Sequence, residues 1–134
     1  AADDVPALLM KNGISAICMH TNLDAAPGGV NDTLCDILGI AAEGRESFAE
    51  GCGRIGTTMP TTVEALAKFC LVTGEAAHHI ALLARQKGIG LVVAGHWGTE
   101  HAIADVLAVQ LEKQFPALTV AHAEADADPY SYLL

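Results

Sequence analysis

This chain has little positive charge: 7 lysines and arginines stand against 16 aspartates and glutamates, a formal net charge of −9. No basic stripe is available to neutralise phosphates, which excludes nucleic acid as a partner class. Aromatic residues make up 4% of the chain. Its apolar character is therefore aliphatic, a composition that permits a buried oligomer surface without locating it. No apolar run approaches the roughly 20 residues of a membrane span, and no signal peptide precedes the first helix. These absences predict a cytoplasmic chain with no membrane partner. No G-x-x-x-x-G-K-[ST] phosphate loop occurs. The 4 cysteines, Cys18, Cys35, Cys52 and Cys70, contain no C-x-x-C and have no clustered histidines beside them. They read as reduced thiols rather than a disulfide frame or zinc knuckle, with Cys18 and Cys70 expected to be buried because each sits in an apolar run.

What the chain does have is material for a core: 134 residues, 51% hydrophobic, with a mean hydropathy of +0.35. That excludes intrinsic disorder and predicts one domain over 1–134. Val5 to Asn12 reads as a helix, with Asp3 or Asp4 as N-cap and Gly13 as the left-handed stop. Ile14 to Met19 reads as a strand, a compact apolar run bounded by Gly13 and the polar His20-Thr21-Asn22. Ala25 to Gly29 is a turn whose glycines let backbone amides approach a ligand, and Asn31 or Asp32 caps a helix to Leu38. From Ala41 to Pro60 glycines punctuate the chain, and Gly53 to Gly56 is the extended piece.

A second half follows the same alternation. Thr61 or Thr62 caps a helix with Glu64 placed for a capping box and Val63, Leu66 and Phe69 facing inward. Phe69 to Val72 is strand-like yet follows that helix with no connecting residues, where two to six are usual. The domain is therefore expected to be an incomplete one, with a segment absent near Cys70-Leu71. A helix from Glu75 to Lys87 stopped by Gly88, a strand from Ile89 to Ala94, an amphipathic helix from Glu100 to Phe115 and a strand from Leu118 to Ala121 complete the pattern. Strand alternating with helix predicts an α/β fold with a mixed, largely parallel sheet and helices on both faces.

The chemistry concentrates after the apolar runs. His20 and Asp24 follow one, His96 and Glu100 follow another, and each pair is four residues apart. Parallel strands would bring both pairs to the carboxyl edge of the sheet, where open α/β sheets bind ligands. His96 and Glu100 share one face if a helix starts by His96, and imidazole with carboxylate suits Zn, Fe or Mn. The alternative is an ordinary helix entry, with Glu100 favoured by the helix dipole. Asp24 is either a metal ligand or an Asx-turn residue, and His20 beside it is a ligand or a proton-transfer group. Thr73-Gly74-Glu75 follows a third run, with His79 one turn on: a third contributor to the edge, or a helix cap and a surface histidine.

The stretch from His20 through Asp24 and Gly29 to Gly39, HTNLDAAPGGVNDTLCDILG, resembles the signature of the dinuclear-metal family of GTP cyclohydrolase 1 type 2 homologues, the NGG-interacting-factor-three-like proteins. Thr73-Gly74-Glu75, then His79, then Ala94-Gly95-His96-Trp97-Gly98-Thr99-Glu100 is similar to that family's second half. The resemblance implies a centre of two divalent transition metal ions (Zn, Fe or Mn) held by an early His-His-Pro segment, an aspartate, and a late histidine and glutamate. The last three map onto Asp24, His96 and Glu100, while His20 and His79 match residues lining the site and would serve catalysis. No His-His-Pro is present, since His78-His79 lies in another motif without the proline. The implied activity is metal-dependent hydrolysis of a small molecule, a nucleotide such as GTP among them. The alternative is a non-catalytic metal-binding scaffold or regulatory interaction protein. A ring-shaped homohexamer is the assembly implied.

Overall fold

The computed structural model describes residues 4–58 and 70–131. Its first helix, α1 (Val5–Lys11), begins where the Asp4 side chain accepts from the Ala7 amide and a proline occupies the first turn, where its missing N–H costs nothing. Gly13, at φ +64°, ends the turn beyond it in the left-handed region that an L side chain resists. Two short helices follow, α2 (Thr21–Ala25) and α3 (Val30–Ile37). The strand expected over Ile14 to Met19 is not formed. None of the described residues pairs with it, and Ile14 and Ile17 stand exposed. An apolar run signals a wish for burial, but a strand also requires a neighbour to take its backbone hydrogen bonds.

Two small sheets carry the rest. Strand β1 (Glu46–Phe48) pairs antiparallel with β2 (Gly53–Ile55) across a 3-10 turn, with Ser47 opposite Arg54. Strand β3 (Cys70–Thr73) pairs parallel with β4 (Gly90–Val93), in a register running from Cys70 opposite Gly90 to Thr73 opposite Val93. The parallel pair needs a crossover, supplied by α4 (His78–Lys87), which starts three residues later than the sequence suggests and stops at Gly88, φ +68°. The class is mixed α/β, as expected, and of the two small sheets among the described residues one is parallel. The helix expected over Glu100 to Phe115 begins earlier and in two pieces, α5 (Gly95–Glu100) and α6 (Ile103–Gln114), with Phe115 as the final cap. Leu118 to Ala121 forms no strand, since nothing among the described residues pairs with it. The helix expected from Thr61 or Thr62 to Phe69 lies outside the described residues.

Helix α3 is the hub, in contact with α2, β2, α5 and α6. Its Thr33 and Cys35 are buried, as are Ala84 of α4, Thr99 of α5 and the glycines Gly29 and Gly53. Burial pushes the Cys35 thiol up from its ordinary value, which keeps it protonated and unreactive. Cys18, expected inside, is exposed because the strand that would have carried it inward is not formed; Cys70 is half-buried.

Candidate functional site

Parallel pairing determines where the polar residues after β3 and β4 emerge. Because Thr73 and Val93 are register partners, the chain leaves both strands at one edge, and the Ala94 amide donates to the Thr73 carbonyl there. Gly74 and Glu75 leave one strand, and Gly95 and His96 leave the other. The imidazole lies close over Gly74. A Cβ on that glycine would stand 3.1 Å from His96 Nδ1, so the small residue admits the ring.

Helix α5 starts at Gly95, which puts His96 and Glu100 on one helical face, one turn apart. His96 Nδ1 and Glu100 Oε1 are 2.6 Å apart, a short charge-assisted hydrogen bond. Glu75 Oε2 lies 3.7 Å from His96 Nε2 on the opposite side, within ion-pair range but beyond hydrogen-bond length. The hydrogen bond to Glu100, then its charge, and more weakly Glu75, raise the pKa of His96 above the usual imidazole value. All three side chains are open to solvent. An open groove of about 470 Å³, lined by Leu71, Thr73, Glu75, Ala76, Ala77 and Ile80, runs beside them. Thr99, buried on the same helix, satisfies its hydroxyl within that helix by donating to the Gly95 carbonyl at 2.9 Å.

The other expected residues occupy separate places. His20 precedes α2, exposed, with its Nδ1 2.9 Å from Thr21 Oγ1 and its amide donating to Asn22 Oδ1 at 2.8 Å. Asp24 lies half-buried on α2, and its backbone carbonyl accepts from Asn31 Nδ2 at 2.9 Å. His79 is exposed in the first turn of α4. The imidazole and carboxylate donors are of the right kind for Zn, Fe or Mn. Among the described residues, however, no group of three or more His, Cys, Asp or Glu side chains is arranged to hold a metal ion. The donors this chain gathers therefore do not fit a dinuclear cage by themselves.

A second polar cluster follows Asp24 in the chain, and sequence reading passed over its cations. Asp32, in the first turn of α3, takes Arg54 Nε on Oδ1 at 2.7 Å and Arg54 Nη2 on Oδ2 at 3.3 Å, a two-pronged contact. Arg45 Nη1 reaches Asp32 Oδ1 at 3.4 Å, and its Nη2 reaches Asp36 Oδ1 at 2.7 Å. Both arginine side chains are 9% exposed and Asp32 is 17% exposed. The Arg54 hydrogen bond outweighs burial, so the Asp32 carboxyl is held below the usual carboxylate range. The only signal in the sequence was scarcity, since these are two of 7 basic residues in the chain.

The sequence model of Duf34/NIF3 (NGG1p interacting factor 3) matches residues 2–70 and 69–129. A protein of Listeria innocua named GTP cyclohydrolase 1 type 2 homolog is 28% identical over 136 residues, covering 91% of this chain and 36% of that protein. Its namesake in Listeria monocytogenes is 29% identical over the same shares. One from Streptococcus pneumoniae is 40% identical over 63 residues, 45% of this chain and 24% of that protein. The chain thus spans about a third or less of the length of these relatives. No solved structure matches it at comparable stringency.

Proposed function

The chain belongs to the Duf34/NIF3 (NGG1p interacting factor 3) family, and on that premise we propose that it carries one side of a metal-dependent hydrolase site acting on a nucleotide such as GTP. The observation that carries this reading is the 2.6 Å contact between His96 and Glu100 at the exit of a parallel strand pair, with Glu75 facing the same ring. His96 and Glu100, with Asp24 from the first half, are the donors assigned to two divalent transition metal ions. The remaining ligands lie beyond what this chain's described residues supply. The two family matches meet at residues 69–70, which supports a reading in which a segment of the relatives has no counterpart here. The relatives' name supports GTP as the first substrate to try. We also assign His20 and His79 to the lining of the complete site and the protein to the cytoplasm.

His96, oriented by Glu100 at its Nδ1, and Glu100 itself would hold a metal ion, which would supply an activated water; in the metal-free chain the same contact favours the imidazolium. Elemental analysis of the purified chain, with His96→Ala and Glu100→Gln beside it, tests the reading. Bound Zn, Fe or Mn that both substitutions remove is the expected result. A metal-free chain with no turnover over a nucleotide and phosphoester panel would sink it.

One observation favours a second reading, that of an interaction or scaffold protein built into a larger assembly such as a ring-shaped hexamer. Ile17, Met10, Leu82, Leu83 and Val109 are among the large apolar side chains left open. Light scattering that gives a monomer at micromolar concentration would count against this alternative.

A further inference from the structure

Helix α2, which carries Asp24, has five residues. A helix that short is well below the length that holds itself together in water, so its placement depends on anchors outside it. The anchors are concentrated on one ion-pair cluster that the proposed chemistry does not use. The Gly28 amide donates to Asp32 Oδ2 at 2.8 Å, and Arg54 Nη2 reaches the carbonyls of Ala25 and Ala26, each at 3.5 Å. The same guanidinium donates through Nη1 to the carbonyls of Gly51 and Gly53 at 2.7 and 3.1 Å, tying the turn to the β1–β2 hairpin. Asn31 Nδ2 closes the arrangement on the Asp24 carbonyl. Gly29 packs against α2 so closely that a Cβ there would lie 1.9 Å from the Leu23 carbonyl oxygen.

We propose that Asp32, clamped by Arg54 and Arg45, is a positioning residue that sets the path of the Ala25–Gly29 turn and thereby where Asp24 is presented, an assignment that rests on Asp24 belonging to the site proposed above. The entry of the turn is held through two carbonyls and its exit through one amide, and both attachments end on one enclosed ion pair. Geometry matters here as much as charge. A guanidinium can grip a carboxylate with two nitrogens and still reach backbone carbonyls, whereas an ammonium is a single point charge. Arg54→Lys therefore keeps the sign and loses the clamp.

Amide hydrogen exchange by NMR on the whole chain tests this, with Arg54→Lys, Arg54→Ala, Asp32→Asn and Asp24→Asn compared with wild type. Expected is a rise of about tenfold or more at Gly28 and Asp24 in both Arg54 variants, with Asp32→Asn acting most on Gly28, while Leu38 at the far end of α3 keeps its protection. Failure of lysine to rescue is the signature of the two-pronged geometry. Unchanged exchange at Gly28 and Asp24 would overturn the proposal, and so would a uniform rise that includes Leu38, which would make the cluster a general support. If Arg54→Ala does not fold, Arg54→Lys and Asp32→Asn decide the matter. Zinc content measured on the same samples separates the two readings. Zinc indifferent to Asp24→Asn removes Asp24 from the site, whatever the exchange shows about the clamp.

Discussion

Asp32→Asn is the perturbation whose consequence the structure specifies best. The change keeps shape and removes charge from a carboxylate that is 17% exposed and faces two guanidiniums, each 9% exposed. A hydrogen bond to a charged group contributes about 1.5–3 kcal/mol, and leaving an enclosed charge without its partner costs more, about 3–5 kcal/mol. Asparagine retains one acceptor oxygen, and Asp36 still neutralises Arg45, so the loss at neutral pH should be about 2–3 kcal/mol. For a chain of this size that corresponds to a fall of about 6–12 °C in Tm. The pH dependence supplies the sharper check. Because the folded-state pKa of Asp32 lies below the unfolded value near 3.8, its stabilisation is complete above that value and fades as pH falls through the lowered one. Melting followed by circular dichroism should therefore show a constant gap between wild type and variant from pH 7 to about pH 5, narrowing below the ordinary carboxylate range. A gap that persists unchanged into strong acid would refute the ionic account, and no gap at neutral pH would refute the clamp's contribution altogether.

Neighbouring glycines should respond differently to the same methyl group. Gly28→Ala meets open space but keeps a φ of +71°, so it should lose about 1–2 kcal/mol by thermal melting. Gly29→Ala drives a Cβ into the Leu23 carbonyl and should lose about 3 kcal/mol or more; equal losses would contradict the packing described. Replacing Glu100 by Gln removes the chief cause of the raised His96 pKa, so the NMR titration of that ring should move down in pH, and Glu75→Gln should move it less. If the two substitutions have equal effects, the 2.6 Å contact is not the dominant one.

The candidate site was legible where its logic is local. An i, i+4 spacing states that His96 and Glu100 meet once a helix begins before His96, and Gly95 begins it. Asp4, Gly13 and Gly88 announced the helix ends because caps and left-handed stops depend on one or two residues. Illegible parts depend on partners distant in sequence. Glu75, one of the residues the sequence offers for the sheet edge, reaches His96 through the pairing of β3 with β4, whereas Arg54 reaches Asp32 across 22 positions that no spacing rule connects. The Ile14 to Met19 run failed for the same reason in reverse. Its composition suits a strand, but a strand is a relation between two segments, and the described residues hold no second one.

The parallel pairing of β3 with β4 also sets a timetable. Hairpin contacts such as β1 with β2 close a loop of a few residues and can form early, whereas joining β3 to β4 must first close a loop that contains the whole of α4. Glu75 and His96 sit on opposite sides of that closure. Their encounter is therefore among the later events of folding, and any fluctuation that separates the two strands withdraws Glu75 from His96 while the local pair of His96 with Glu100 stays within α5. Assembly of the sheet and the arrival of Glu75 at His96 are one event, so protection of the β4 amides should report on that contact directly.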